Sequence, residues 1–177
     1  MEAEHIVHPF PPLYDSEARI LILGSLPSVK SREQMFFYGH PQNRFWPLMA
    51  ALFNEPVPRG IDEKAALVLR HHIALWDSIY SCDITGSSDS SIRNVTPTDL
   101  KPILAGSRIE RIFCNGRTSW NCYHRFQEKE LGLEAILLPS TSPANAAWTM
   151  EKLQAAWQVI LDDPGQKSCG QRENVAE

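Results

Sequence analysis

Residues 24–46 read GSLPSVKSREQMFFYGHPQNRFW and follow directly on four apolar residues, ILIL, at positions 20–23. An apolar run that ends in a glycine- and proline-containing loop is typical of a buried strand followed by a tight turn. In an open α/β sheet, ligands bind just outside the carboxyl ends of such strands. The segment then supplies rings and hydrogen-bonding side chains in close succession: Phe36, Phe37, Tyr38, His40, Asn43, Phe45 and Trp46. We therefore expect a pocket for a planar polar ring beside this strand.

Apolar runs and helix-like stretches alternate along the chain. Strands are predicted at 18–23, 73–76, 111–114 and 133–138, and helices at 46–53, 61–71, 96–105, 117–130 and 144–161. Residues 81–94 are predicted to form a loop, and residues 1–18 to run extended, with Phe10, Leu13 and Tyr14 covering the sheet. This alternation predicts an α/β fold with a mostly parallel sheet and helices on both faces. The residues that follow the four strands would line one shared cleft. They are Gly24–Pro27, Asp77, Asn115-Gly116 and Pro139–Pro143.

Length and composition limit the class of protein. The 177 residues fit one domain, which we place at 1–161, followed by a polar tail at 162–177 that we expect to be mobile. A net charge of −4 argues against a surface covered with phosphate-binding charge, although a local patch can still bind nucleic acid. No apolar stretch is long enough to span a membrane, and the N-terminus does not have the pattern of a signal peptide. We therefore expect a cytoplasmic protein.

Several common sites are absent from the sequence. It contains no phosphate-binding GxxxxGK[ST] loop, no GxGxxG, no HExxH and no GxSxG. The four cysteines form no CxxC pair, so neither a metal site nor a cofactor is expected.

Serine- and proline-containing loops offer uncharged donors to phosphates, and Ser25, Ser140 and Ser142 are candidates. Each of these serines could equally be a plain turn residue. An enzyme that acts on one base must take it out of the stack and read it in a pocket. Tyr38, Asp77 and Asn43 could respectively stack on the base, bind its edge and position water.

Three segments carry a resemblance to a known family. Gly24–Pro27, the run HPQNRFW at 40–46 and the run LPSTSPANA at 138–146 resemble the uracil-DNA glycosylase superfamily. The HPxNRFW pattern is similar to the mismatch-specific uracil/thymine branch. The whole set, including residues 75–94 and 113–116, looks most like the hypoxanthine-DNA (deoxyinosine) glycosylase branch, and it spans about residues 9–160.

The resemblance implies a three-layer α/β/α sandwich around a central four-stranded parallel sheet. It implies an enzyme that flips a deaminated base, chiefly hypoxanthine, out of DNA and hydrolyses the N-glycosidic bond to leave an abasic site. No metal, cofactor or lyase lysine is implied. A monomer without an obligate protein partner is expected.

Catalytic roles are carried over onto the first two motifs. Leu26 stands where most branches have an Asp or Asn that holds the attacking water. In the hypoxanthine branch the catalytic amide comes from the His-Pro-x-Asn run, which here supplies Asn43. The carbonyl of Asn43 would orient water, and the bond would break largely through departure of the base. Ser25, within the Gly24–Pro27 loop, and Asn115 would offer donors to the departing base.

Binding roles are carried over in the same way. Tyr38 would stack on the flipped base, although it could instead be a core tyrosine. Asp77 would accept the N1–H of hypoxanthine, although it could instead cap a turn. His40 would contact a phosphate or fix its loop. Arg44, Phe45 and Trp46 are expected to pack or to brace the loop. The 138–146 segment would grip phosphates through Ser140 and Ser142 and fill the vacated stack with one of Thr141, Ser142, Pro143, Ala144 and Asn145.

Three alternatives stay open on the sequence. The first is a mismatch-specific uracil/thymine-DNA glycosylase, because uracil also donates at a ring nitrogen. The second is a lesion-binding protein with weak catalysis, because Leu26 and Leu138 are apolar where relatives are usually polar. The third is an α/β domain that binds free nucleotides.

Overall fold

The computed structural model describes residues 2–162. The strands are β1 (Glu4–Val7), β2 (Ile20–Gly24), β3 (Ile73–Asp77), β4 (Ile79–Ile84), β5 (Arg93–Pro97), β6 (Arg111–Asn115) and β7 (Ala135–Leu138). The helices are α1 (Val29–Gln34), α2 (Phe45–Phe53), α3 (Gly60–Arg70), α4 (Lys101–Ala105), α5 (Arg117–Phe126), α6 (Glu128–Leu131) and α7 (Met150–Trp157). Except for Asp162, the predicted tail at 162–177 lies outside the described residues, and the domain boundary stays a prediction.

The main sheet has four parallel strands in the order β3-β2-β6-β7. Every residue of β2 and β3 is buried, as expected for a parallel sheet covered on both faces. Helix α3 packs against β3, and α5 packs against β6 and β7. The expected α/β fold with helices flanking a four-stranded parallel sheet is therefore confirmed.

The carboxyl ends of these strands meet at one edge of the sheet. Gly24 lies opposite Asp77 in the β2–β3 register, and Asn115 lies opposite Leu138 in the β6–β7 register. The prediction that the loops after the four strands share one edge is correct, because parallel strands in register end at the same level.

A second sheet takes up both ends of the loop predicted at 81–94, so that prediction was wrong at 81–84 and 93–94 and correct at 85–92, which consists of turns. Strands β1, β4 and β5 form an antiparallel sheet in the order β1-β4-β5. Along β4 the residues Ile79, Cys82 and Ile84 are buried in a small core of their own. Ser81 and Asp83 lie between these residues and gave the segment the composition of a loop. The predicted helix at 96–105 is correspondingly shorter, since 96–97 end β5 and α4 begins at Lys101.

Two other boundaries differ from the predictions. The helix predicted at 144–161 comprises only α7 and a following 3-10 turn at Gln158–Leu161. Its start is fixed by Thr149, whose side chain accepts a hydrogen bond from the Lys152 N–H. Residues 144–148 are turns instead. The extended N-terminal segment is partly the strand β1, and Phe10 within that segment is buried as expected.

None of the helices within residues 2–162 has the length and apolar character needed to cross a membrane.

Candidate active site at the carboxyl edge of the parallel sheet

A cleft of about 440 Å³ opens at the carboxyl edge of the main sheet. Almost all of the residues predicted from the sequence to form the site line it: Gly24, Ser25, Leu26, Pro27, Tyr38, His40, Asn43, Asp77, Asn115, Ser140, Thr141, Ser142 and Pro143. Asn145 instead lines a neighbouring open groove of about 550 Å³, on the other side of the same loop. The cleft is within the size range of small-molecule sites in proteins.

A buried carboxylate and a buried imidazole lie together at the cleft. Asp77 is 4% exposed at the end of β3, and its Oδ2 lies 2.6 Å from Nε2 of His8, which is 7% exposed. The His8 ring is packed against Phe10 and Trp76, with centroid separations of 4.6 and 4.3 Å. Because an ionised carboxylate can only accept, His8 Nε2–H is the donor. Sequence reasoning missed His8, since it lies 69 positions from Asp77 and in no recognisable motif.

The close approach of Gly24 to Asp77 explains the glycine at the end of β2. A Cβ built on Gly24 would lie 2.3 Å from Asp77 Oδ1 and 3.4 Å from Tyr38 Oη. No side chain fits in that space unless the carboxylate moves. The glycine therefore lets the backbone of the first loop lie directly against the acceptor of the site.

Tyr38 forms an aromatic wall of the cleft. Its ring is stacked on Phe45 with centroids 4.0 Å apart and an angle of 22° between the rings. Its φ of 53° lies in the left-handed region, a backbone conformation that is uncommon for a bulky residue. In this conformation the side chain faces the cleft. Burial, followed by the negative charge of Asp77, raises the pKa of the Tyr38 hydroxyl. Tyr38 is therefore a neutral donor at all physiological pH values, both lining the cleft and packing on the core.

A hydrogen-bonded chain connects the ends of three elements. Asn115 donates from Nδ2 to Thr141 Oγ1 at 3.0 Å, and its Oδ1 accepts from Thr141 N–H at 3.0 Å. The Thr141 hydroxyl then donates to Asn43 Oδ1 at 2.9 Å. Asn43 Oδ1 also accepts the backbone N–H of Phe45 at 2.9 Å, at the start of α2. Thr141 is fully buried, so its side chain joins the loops together and does not reach out to fill a base stack.

These hydrogen bonds fix the orientation of the Asn43 amide. A flipped amide would point its NH₂ group at the Phe45 N–H, donor against donor, so the assignment follows from the hydrogen bonding. The carbonyl oxygen, which was expected to orient water, already accepts from Phe45 N–H and Thr141 Oγ1. The amide nitrogen of Asn43 has no partner among the described residues and is the group left to act in the cleft. The catalytic role of Asn43 stays a prediction.

His40 has a defined tautomer. Its Nδ1 accepts the Gln42 N–H at 3.1 Å, so the ring proton of the neutral imidazole is on Nε2. His40 is half-buried and lines the cleft. His40 therefore fixes its own loop, and its contact with a phosphate stays a prediction.

Arg44 braces the loop that follows β7. Its guanidinium donates to the backbone carbonyls of Ser142 and Asn145, each at 3.0 Å, and to that of Trp148. Phe45 and Trp46 are buried. The expectation that these three residues pack or brace the loop is confirmed. The planar guanidinium suits this task because it carries several donors in fixed directions.

Two features of the lining depend on the fold and could not be predicted from the sequence. Leu26 is packed against the small core of the second sheet, which gives this apolar residue a structural reason for its place in the first loop. Three cationic side chains, those of Lys30, Arg32 and Arg117, also line the cleft. A scatter of single basic residues carries no motif, so only the folded chain brings them together.

Within residues 2–162, the His, Cys, Asp and Glu side chains do not gather in groups of three or more that would suit a metal ion.

Comparisons with known proteins agree with this geometry. The family model described as the uracil DNA glycosylase superfamily matches residues 11–162. A protein of Methanosarcina acetivorans named hypoxanthine DNA glycosylase is 32% identical over 154 residues, which cover 86% of this chain and 96% of the relative. A protein of the same name from Methanosarcina barkeri is 28% identical over 150 residues, covering 84% of this chain and 93% of the relative.

The fold is also similar to a solved structure. The solution NMR structure of a Methanosarcina acetivorans protein, described provisionally as a uracil DNA glycosylase, matches with a TM-score of 0.72 at 29% sequence identity. The match covers 86% of this chain and 97% of that protein.

Proposed function

Because this chain belongs to the uracil-DNA glycosylase superfamily, we propose that it releases hypoxanthine from DNA by hydrolysing the N-glycosidic bond. The observation that carries the choice of base is the carboxylate of Asp77 at the cleft, held from behind by His8. A carboxylate accepts from the N1–H of hypoxanthine, whereas adenine has an acceptor at N1 and is repelled. The names of the two relatives, both hypoxanthine DNA glycosylases, support the same substrate.

The base is held between defined groups. Tyr38 offers a ring face for stacking, and Gly24 leaves the space in which the Asp77 carboxylate lies beside it. A duplex base cannot reach such a recessed site inside the stack, so the nucleotide must be flipped out of the helix.

Bond cleavage follows from what Asn43 can and cannot do. An amide does not deprotonate water, so the bond between C1′ and N9 breaks first, and its electron pair leaves with the base. The sugar becomes an oxocarbenium-like cation, to which water adds at C1′, and the proton that the water loses is taken up by the purine anion. The Asn43 amide nitrogen donates to the oxygen of that water, holding it while a second lone pair of the oxygen attacks. The donors to the departing purine anion are the ring N–H of His40, the backbone N–H groups of the first loop and the Asn115 amide.

DNA is held by the loop after β7 and by cations around the cleft. Ser140 and Ser142 offer hydroxyls to phosphates, and Lys30 and Arg117 add charge. Since Thr141 is buried, the tip of the loop, with Pro143 half-buried and Ala144 exposed, is the part that enters the space left by the flipped base. We further expect the enzyme to act as a monomer in the cytoplasm, without an obligate protein partner. Light scattering of the purified chain tests the monomer.

Single-turnover base release tests the proposal. Matched duplexes that each carry one hypoxanthine, uracil, xanthine or G·T mismatch are incubated with excess enzyme, with and without EDTA. We expect fast release of hypoxanthine that EDTA does not change. Preferred release of uracil or thymine would instead indicate a mismatch-specific enzyme. Binding without release would indicate a lesion-binding protein.

The Asn43→Ala variant tests the catalytic role in the same assay. We expect release to fall by about a hundredfold or more, since the group that holds water is lost, while binding to the lesion is kept. Unchanged turnover by a folded variant would refute the role of Asn43.

A further inference from the structure

We propose that His8 is a positioning residue that sets base selectivity by fixing which atom of residue 77 faces the cleft. This inference rests on the proposed function and adds a second residue to the recognition of the base. His8 reaches the site through the second sheet, since its backbone N–H donates to the Tyr80 carbonyl at 2.7 Å, continuing the pairing of β1 with β4.

The two oxygens of Asp77 have different surroundings. Oδ2 accepts from His8 Nε2–H at 2.6 Å. Oδ1 lies over the Cα of Gly24, beside Tyr38 Oη, and accepts no hydrogen bond from residues 2–162. The His8 side chain is itself held between Phe10 and Trp76 and cannot follow a rotating carboxylate. Oδ1 is therefore the oxygen presented to a base.

A carboxylate held in one orientation accepts hydrogen bonds only from bases with a donor at the matching position. With Oδ2 committed to His8, the residue 77 side chain presents an acceptor and no donor, so a ring N–H is the pattern required opposite it. This pattern is found in hypoxanthine and is absent from unsubstituted purine, whose N1 is an acceptor. An unpaired polar contact in a buried site discriminates strongly between two otherwise similar ligands.

An amide at position 77 exposes the role of His8 directly. While His8 keeps its proton on Nε2, as the wild-type carboxylate requires, the amide oxygen of Asp77→Asn faces His8 and the NH₂ group turns toward the base. In that orientation the amide NH₂ group faces the N1–H of hypoxanthine, and both groups are donors. If His8 is also replaced by leucine, the amide is free to turn and can present its oxygen again. Replacing His8 should therefore restore part of the hypoxanthine release that Asp77→Asn removes. Replacing a residue with a merely structural role would not restore it.

The experiment measures single-turnover release from duplexes that carry either hypoxanthine or unsubstituted purine. The enzymes are wild type, His8→Leu, His8→Gln, Asp77→Asn and the double variant Asp77→Asn/His8→Leu. The matched control is His5→Leu, which removes an exposed His–Asp pair between β1 and β4, where His5 Nδ1 lies 2.8 Å from Asp83 Oδ1. Thermal unfolding of each variant is recorded alongside.

We expect His8→Leu to lower the ratio of hypoxanthine to purine release by about tenfold or more. His8→Gln, which keeps a donor near the Nε2 position, and His5→Leu should keep the wild-type ratio. Asp77→Asn should lower hypoxanthine release by about tenfold or more, and the double variant should recover at least about threefold of it, a coupling that only interacting residues show.

An unchanged ratio in folded His8→Leu, or a double variant no better than Asp77→Asn, would overturn the inference. If His8→Leu does not fold, His8→Phe replaces it, because phenylalanine keeps a ring against Phe10 and Trp76 but has no donor. An equal fall in the release of both bases would also overturn the inference, since it would indicate general damage. If the wild-type protein releases no hypoxanthine, the proposed function fails, which is a separate result.

Discussion

Thr141→Val removes one hydroxyl from the centre of the site and changes little else. The side chains have nearly the same shape, and the backbone bonds from Thr141 N–H to Asn115 and from Arg44 N–H to the Thr141 carbonyl stay in place. The lost hydroxyl is the acceptor for Asn115 Nδ2 and a donor to Asn43 Oδ1. The variant therefore tests whether this chain holds Asn43 in its catalytic orientation.

The expected decrease in the free energy of unfolding depends on which groups lose a hydrogen-bond partner. Asn115 is 9% exposed, so its orphaned N–H is largely shielded from water, and an unsatisfied buried group costs about 1–3 kcal/mol. Asn43 is half-buried and keeps the Phe45 N–H, so its oxygen can bind water and adds little. For a domain of this size each kcal/mol lowers Tm by about 2–4 °C. The rate of hypoxanthine release should also fall. The loss should approach the roughly hundredfold decrease that results when a catalytic group is misplaced by about 1 Å.

The assay combines thermal unfolding with single-turnover release of hypoxanthine. Thr141→Ser keeps the hydroxyl and should restore most of the activity, while Thr96→Val, at an exposed strand position, serves as the matched control. Wild-type release by a Thr141→Val variant that is destabilised as expected would refute the reasoning. It would mean that the orientation of Asn43 does not depend on Thr141.

Gly24→Ala places a methyl group 2.3 Å from Asp77 Oδ1; it should lower the free energy of unfolding by about 1–3 kcal/mol and abolish most hypoxanthine release, so wild-type release would contradict the tight fit. Arg44→Lys cannot reach three carbonyls at once, and we expect faster limited proteolysis at 139–148 with weaker duplex binding; an unchanged cleavage pattern would contradict the brace. Burial raises the pKa of both Cys114 and Cys122 from 9.0 to about 12. The unfolded chain therefore loses these protons first as the pH rises, so the stability they contribute is complete below pH 9 and is lost between about pH 9 and 12. Urea unfolding from pH 8 to 11 checks this, and Cys114→Ala should flatten the decline; an equally steep decline in the variant would count against it.

The second sheet shows where sequence reasoning failed. Strand β4 has no strict alternation, since the less buried Tyr80 and Ser81 follow one another, and its Ser and Asp residues are typical of a loop. Strand β1 is only four residues long, too short to give a periodic signal. Both strands are stabilised by pairing with each other and not by their own propensity, which is why β propensity depends on context. His8 was missed for the same reason, because it reaches Asp77 through this pairing.

What the sequence determined by itself is local or repeated along the chain. The apolar run at 20–23 and the other buried strands predicted the parallel sheet, and the motif residues at the strand ends predicted one cleft, because parallel strands end at one edge. The tertiary structure alone decided how the polar groups are paired. The engagement of Asn43 Oδ1 by Thr141, 98 positions away, and of Asp77 by His8 depends on contacts between distant segments. A hydrogen bond needs its partners at a set distance and angle, and only the packed chain fixes both.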